Sequence, residues 1–117
     1  MTDTTTKTEI VPVAFGTTRP IKEFKVGYSK PYAHIIWGEE IKDGAQCRII
    51  ITNVAKGVQV YRRDFTHSKE SEEKSFNFES SGIVETHPDW YKQIGSYLME
   101  LNINGRRKSR VIFRIVP

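Results

Sequence analysis

The 117-residue sequence predicts an all-β domain. Three observations lead there. Apolar residues alternate with polar ones at a period of two, turn-forming residues recur at roughly 10 to 12 residue intervals, and no stretch invites more than a single helical turn. About seven or eight strands with that rhythm suit a sandwich or a barrel.

The chain is long enough for one core and too short for two, so a single domain over residues 10–117 is expected. Hydrophobic residues make up 38% and charged residues 27%, the balance of a globular protein with a solvated surface. No apolar run approaches the roughly 20 residues a helix needs to cross a bilayer, and the polar start does not resemble an export signal. The expectation is therefore no membrane contact and a cytoplasmic or virion setting. The single cysteine, Cys47, has no intrachain partner and sits in an apolar strand pattern, where it reads as a small core hydrophobe. Eighteen basic against fourteen acidic side chains leave a formal +4, so the placement of charge matters more than its sum.

Residues 1–9 hold five threonines and no large apolar residue besides the initial Met1, and they read as a flexible tail. In 10–15, Val11, Val13 and Phe15 alternate around Pro12, the mark of a first or edge strand. After the break at 16–20, Phe24 and Val26 share one face of a second short extended piece, and the two pieces together could be one split opening strand. The aromatic and β-branched run 32–37 ends at Gly38 and reads as a buried strand. Asp43-Gly44 turns the chain into 47–52, where three consecutive isoleucines predict a central strand apolar on both sides. Residues 53–57 turn back into 58–63, with Val58 and Val60 on one face and Gln59 and Tyr61 on the other. Residues 67–75 read as a solvated connection, Phe76 and Phe78 as a short strand, and Pro88 as the opening of one 3₁₀ turn. Tyr97, Met99, Leu101 and Ile103 then alternate up to Asn104-Gly105, a strong hairpin signal, and Val111, Phe113 and Ile115 return.

Gly95-Ser96-Tyr97 resembles the Gly-x-Tyr signature that opens the penultimate strand of immunoglobulin-like domains. The order of Trp37, Gly44, Gly-x-Tyr, the Asn104-Gly105 turn and Phe113 is similar to immunoglobulin-like β-sandwich modules of bacterial and viral proteins. The resemblance covers about two thirds of the chain and implies an antiparallel sandwich in which the Tyr97 hydroxyl ties back to nearby backbone. Met99 stands where antibody domains carry a cysteine, so no intersheet disulfide is implied.

Catalysis would need converging groups, and the sequence offers none. His34, His67 and His87 lack partners at metal-site spacing; Asp89, beside Pro88, reads as a turn residue, and Glu70, Glu72 and Glu73 are balanced by Lys69 and Lys74. No phosphate loop is present, and neither a metal nor another cofactor is expected. Two groups remain as candidate contact residues. Arg106, Arg107, Lys108 and Arg110 crowd the last hairpin, with Arg114 following; they read either as a solvated, protected edge or as a patch for an acidic protein or phosphates. Arg62 and Arg63 could lie elsewhere on the surface. Trp90 and Tyr91 either plug one end of the sandwich or form an exposed anchor.

The functional expectation is a non-catalytic protein-interaction or assembly module, an accessory or structural part of a larger complex or virus particle. Its loops at 38–44, 64–75 and 83–94, with the basic hairpin, would make the contacts. The alternative is nucleic-acid binding through that hairpin.

Overall fold

A computed structural model describes residues 8–14, 19–26, 31–38, 41–68, 75–77 and 90–117, with 75–77 described by their backbone. Among them the strands are, in chain order, β1 (Glu9–Val13), β2 (Glu23–Lys25), β3 (Tyr32–Ile36), β4 (Gln46–Asn53), β5 (Val58–Thr66), β6 (Ser75–Asn77), β7 (Gly95–Ile103) and β8 (Arg106–Val116). A 3₁₀ turn at Trp90–Lys92 precedes β7. The strands form two sheets, ordered β1-β3-β6 and β2-β8-β7-β4-β5, so the chain is all-β. Every pairing is antiparallel except β2 with β8.

Turn chemistry explains the two long hairpins. Asn104 and Gly105 both take positive φ, 51° and 82°, the backbone that a two-residue hairpin matching strand twist requires. Asn104 also pins the turn to β4, its amide donating to the Gln46 carbonyl at 2.8 Å and its Oδ1 accepting from the Gln46 amide at 3.0 Å. Between β4 and β5, Asn53 Oδ1 accepts from the Lys56 amide at 3.1 Å, and Gly57 supplies the positive φ of 64°.

Alternation then builds the core. Cys47, Ile49 and Ile51 of β4, Tyr97, Met99 and Leu101 of β7, and Phe113 and Ile115 of β8 all point to one side of the larger sheet. Ile10, Ala33 and Ile35 of the smaller sheet join them, with Phe24 and Trp90 in the same cluster. Each large side chain so buried contributes about 1.5–3 kcal/mol. Phe24, Trp90 and Tyr97 surround Phe113, at ring separations of 5.6, 6.3 and 5.6 Å.

Several expectations change. Thr8 and Glu9, assigned above to the tail, belong to the fold: Thr8 is buried, its Oγ1 accepting from the Gly38 amide at 2.8 Å, and Glu9 begins β1. The split opening strand feeds both sheets, β1 pairing with β3 and β2 with β8. A bulge opposite Ile51/Thr52 interrupts the alternation of β5, so that Val60 and Tyr61 are both buried instead of facing opposite ways. The strand continues to Thr66, taking in residues 64–66 that read as loop. His67, read as solvated, is buried and stacks on Trp37 at 4.1 Å, because its amide and carbonyl bond Ala45 and Gly44 and hold it against the core. β4 is flanked on both sides, yet it alternates: Arg48 faces out and Ile50 is half-buried, so it is not apolar on both faces.

Candidate functional site

The outward face of the five-stranded sheet is the site, and strand register builds it. Residues directly opposite on neighbouring strands share a face, so the pairings define cross-strand rows. One row runs Asp64, Arg48, Asn102, Arg107 across β5, β4, β7 and β8. The next runs Arg62, Ile50, Glu100, Arg110. A third holds Thr52, Leu98 and Ile112, and a fourth holds Ser96, Arg114 and Glu23 of β2. With strands about 4.8 Å apart, a four-strand row spans roughly 14 Å.

The first two rows carry four arginines against Asp64 and Glu100. Arg48 donates to Asp64 from Nε at 2.7 Å and from the guanidinium end at 3.2 Å, a bidentate pair. That hydrogen bond holds the Asp64 carboxyl below the usual carboxylate range and raises the Arg48 guanidinium. Arg62 approaches the same carboxylate at 3.8 Å, and Arg107 stands 3.8 Å from Glu100. A cleft of about 270 Å³ opens at this end, lined by Gln46, Cys47, Arg48, Asp64, Asn102 and Gly105.

The opposite half of the same face carries exposed aliphatic side chains beside Thr52, Ser96, Arg114 and Glu23. Ile112 is 56% exposed and sits across from half-buried Leu98. Val54 donates its amide to the Ser96 carbonyl at 3.0 Å, which sets it beside the fourth row; its side chain is 50% exposed. Ile94, 58% exposed, lies two residues before Ser96 at the same end. One face thus has a basic half and a mixed half, in which Leu98 and exposed Ile112 stand between Thr52, Ser96 and the Arg114–Glu23 ion pair, 3.7 Å apart, with Ile50 at the junction.

No family model, curated protein or solved structure matches this chain. The surface chemistry therefore has to carry the functional reading.

Of the candidate residues, Arg107 and Arg110 stand on this face, and Arg106 and Lys108 are exposed at its hairpin end. Arg62, expected elsewhere, shares the row of Arg110, because β4 and β7 lie between their strands and preserve the register. Trp90 is not a surface anchor: it is 2% exposed, 5.2 Å from the Tyr97 ring, in the position of a plug. Tyr91 is half-buried against the core, its ring 6.1 Å from Trp90. Parity within each strand was the available signal for the residues missed. Arg48 between apolar neighbours, and Ile112 in step with Arg110 and Arg114 at alternate positions, both mark outward positions.

His34 is buried within β3, and no three His, Cys, Asp or Glu side chains converge among the described residues. Burial pushes the Cys47 thiol up to about 11, away from nucleophilic use at neutral pH. His87, Asp89 and the acidic run 70–73 lie outside the described residues, as does most of the loop 83–94.

Proposed function

We propose that the chain is a non-catalytic interaction module on an immunoglobulin-like β-sandwich, and that it binds an acidic protein surface through the outward face of its five-stranded sheet. The sandwich reading is supported by the parallel β2–β8 pairing beside the antiparallel β8-β7-β4-β5 run. It is supported too by the Tyr97 hydroxyl, which lies 3.0 Å from the Trp90 carbonyl and 2.8 Å from the Gln93 carbonyl, in the manner of a tyrosine corner.

The observation that carries the functional reading is the juxtaposition on one face of exposed Ile112, half-buried Leu98 and Ile50, and Val54 beside Ser96, with the rows of Arg48, Arg62, Arg107 and Arg110. Protein interfaces combine an apolar centre with a charged rim. A surface that met only phosphates would not need these aliphatic side chains.

A second reading, nucleic-acid binding, is favoured by Arg106, Arg107 and Lys108 clustered where β8 begins. No outward position in the four rows is aromatic, so stacking on bases has no platform there. The two readings separate in a titration. Anisotropy of a labelled Glu/Leu peptide and of a short single-stranded oligonucleotide is followed at low and near-physiological salt. The acidic-protein reading expects peptide binding that falls at least fivefold both in Ile112→Glu and in Arg107→Ala/Arg110→Ala. Oligonucleotide binding that falls steeply with salt and ignores Ile112→Glu would replace it with the second reading, and no binding of either probe at low salt would remove both.

A further inference from the structure

The cleft at the basic end of the outward face stands beside a bulge in β8. Leu101 pairs with Ser109, whereas Asn102 pairs with Arg107, so Lys108 is an extra residue and Arg107 takes the place opposite Asn102. Arg48 stands opposite Asn102 on the other side. A short side chain therefore lies between two long basic ones, whose backbones are about 10 Å apart across β7. The cleft of about 270 Å³ opens beside Arg48 and Asn102, with Asp64 also in its wall.

Donors around this gap exceed the acceptors that meet them. Asp64 engages Nε and Nη2 of Arg48, at 2.7 and 3.2 Å, and leaves Nη1 for a second acceptor. Arg107 stands 3.8 Å from Glu100, beyond hydrogen-bond length, and its side chain is 52% exposed. The Asn102 carboxamide is unspent: its Oδ1 is screened from solvent and has no hydrogen-bond partner, and rotation about Cβ–Cγ brings the Nδ2 donor to the same place. Across the first two rows Arg48, Arg62, Arg107 and Arg110 stand against Asp64 and Glu100, a surplus of two positive charges. Such a donor set suits an anion with several lone pairs. Asp64 in the wall makes a second charge on that anion costly, so a carboxylate is favoured over a phosphate dianion.

We propose that the cleft beside Asn102 is a carboxylate site, in which one carboxylate of the partner is held by Arg48 Nη1 and the Asn102 amide, with Arg107 closing over it from β8. The inference rests on the reading of this face as a surface for an acidic protein, and it names the place where a single acidic group is recognised. Asp64 is a positioning residue there: its two bonds to Arg48 fix the guanidinium at the rim of the cleft. The carboxylate comes either from an aspartate or glutamate side chain or from the end of a chain.

Two probes of the full chain test this. Propionate alone, which matches a glutamate side chain, is titrated at constant ionic strength while the NMR signals of the Asn102 side-chain amide, the Gly105 backbone amide and Arg48 Nε are followed. Saturable shifts confined to these groups are expected, with a Kd on the order of millimolar, and inorganic phosphate is expected to bind no tighter. The second probe is a Glu/Leu peptide amidated at its C-terminus. Its affinity is expected to fall about fivefold or more, close to 1 kcal/mol, both in Asn102→Leu, which fills the gap without changing charge, and in Asn102→Asp, which keeps the shape and adds a like charge. Urea midpoints show that each variant is folded. A glutamate-free peptide with a free C-terminus that binds the wild type equally well, and weakens in the same variants, supports the site and identifies a chain end as its ligand. Unchanged peptide affinity in both variants, no propionate shifts at the cleft, or tighter binding of phosphate would each overturn the proposal, while the reading of the whole face stays with Ile112→Glu. Saturable propionate shifts without any peptide binding would support the cleft and remove the acidic-protein reading.

Discussion

The two faces of the five-stranded sheet are made by the same strands with the same alternation, yet they do different work. Inward, Tyr97, Met99 and Leu101 of β7 are fully buried beside β4 and β8 neighbours of the same kind. Outward, the intervening Leu98, Glu100 and Asn102 stand among arginines and Ile112. The inward face is close-packed and largely apolar, Ser109 opposite Leu101 and Arg63 opposite Ile49 being the polar members of its rows, and its apolar residues are replaceable by others of similar volume. The outward face mixes charge with exposed hydrocarbon, a combination that packing does not require.

The sharpest way to break this contrast is to remove the same side chain from each face. Leu101→Ala is expected to cost about 2–5 kcal/mol in urea unfolding, the range for a leucine deleted from a closed core. Leu98→Ala, on the outward face of the same strand, should cost below about 1 kcal/mol. Equal losses would mean that the outward face is covered in the folded protein. Tyr97→Phe comes next: it leaves the Trp90 and Gln93 carbonyls without the hydroxyl and should cost about 1–3 kcal/mol with the core volume intact.

Cys47 sharpens the contrast through pH. Its thiol is raised in the folded chain from 9.0 to about 11, by burial against a weaker opposing hydrogen bond from the His67 backbone. Folding thus favours the protonated thiol, and this contribution is fully present below pH 9.0 and lost as pH rises through about 11. Wild-type stability should fall more steeply across that window than that of Cys47→Ala, followed by urea midpoint. The smallest effect is expected outward, at Arg48 and Asp64. Their pair contributes at neutral pH, fades with added salt, and is lost on acidification as Asp64 protonates, because its pKa is lowered in the folded state. A double-mutant cycle should show a coupling that disappears in high salt.

Much of the fold was legible because its signals are local. Period-two alternation located β7 and β8, and Asn104-Gly105 located their turn, since few residues accept two consecutive positive φ values. The Gly95-Ser96-Tyr97 stretch marked a hydroxyl that does reach backbone carbonyls. The bulge in β5 was not legible, because it depends on how β4 and β5 accommodate one extra residue. The burial of His67 and Thr8 was missed for a similar reason: both look polar in sequence, and each is held inside by partners 20 or more residues away.

The candidate site divides in the same way. Alternation along β8 already placed Arg110, Ile112 and Arg114 on the face opposite Phe113 and Ile115. Sequence alone thus determined which residues share a side wherever no bulge intervenes, as in β7 and the later part of β8, since the pleat reverses direction at every residue. Only the tertiary structure decided that the side bearing Arg110 also bears Arg48 and Arg62, with Ile112 and Leu98 beside them. Neighbours in a sheet are chosen by long-range pairing and register, and those rest on the shared core that all the strands bury together.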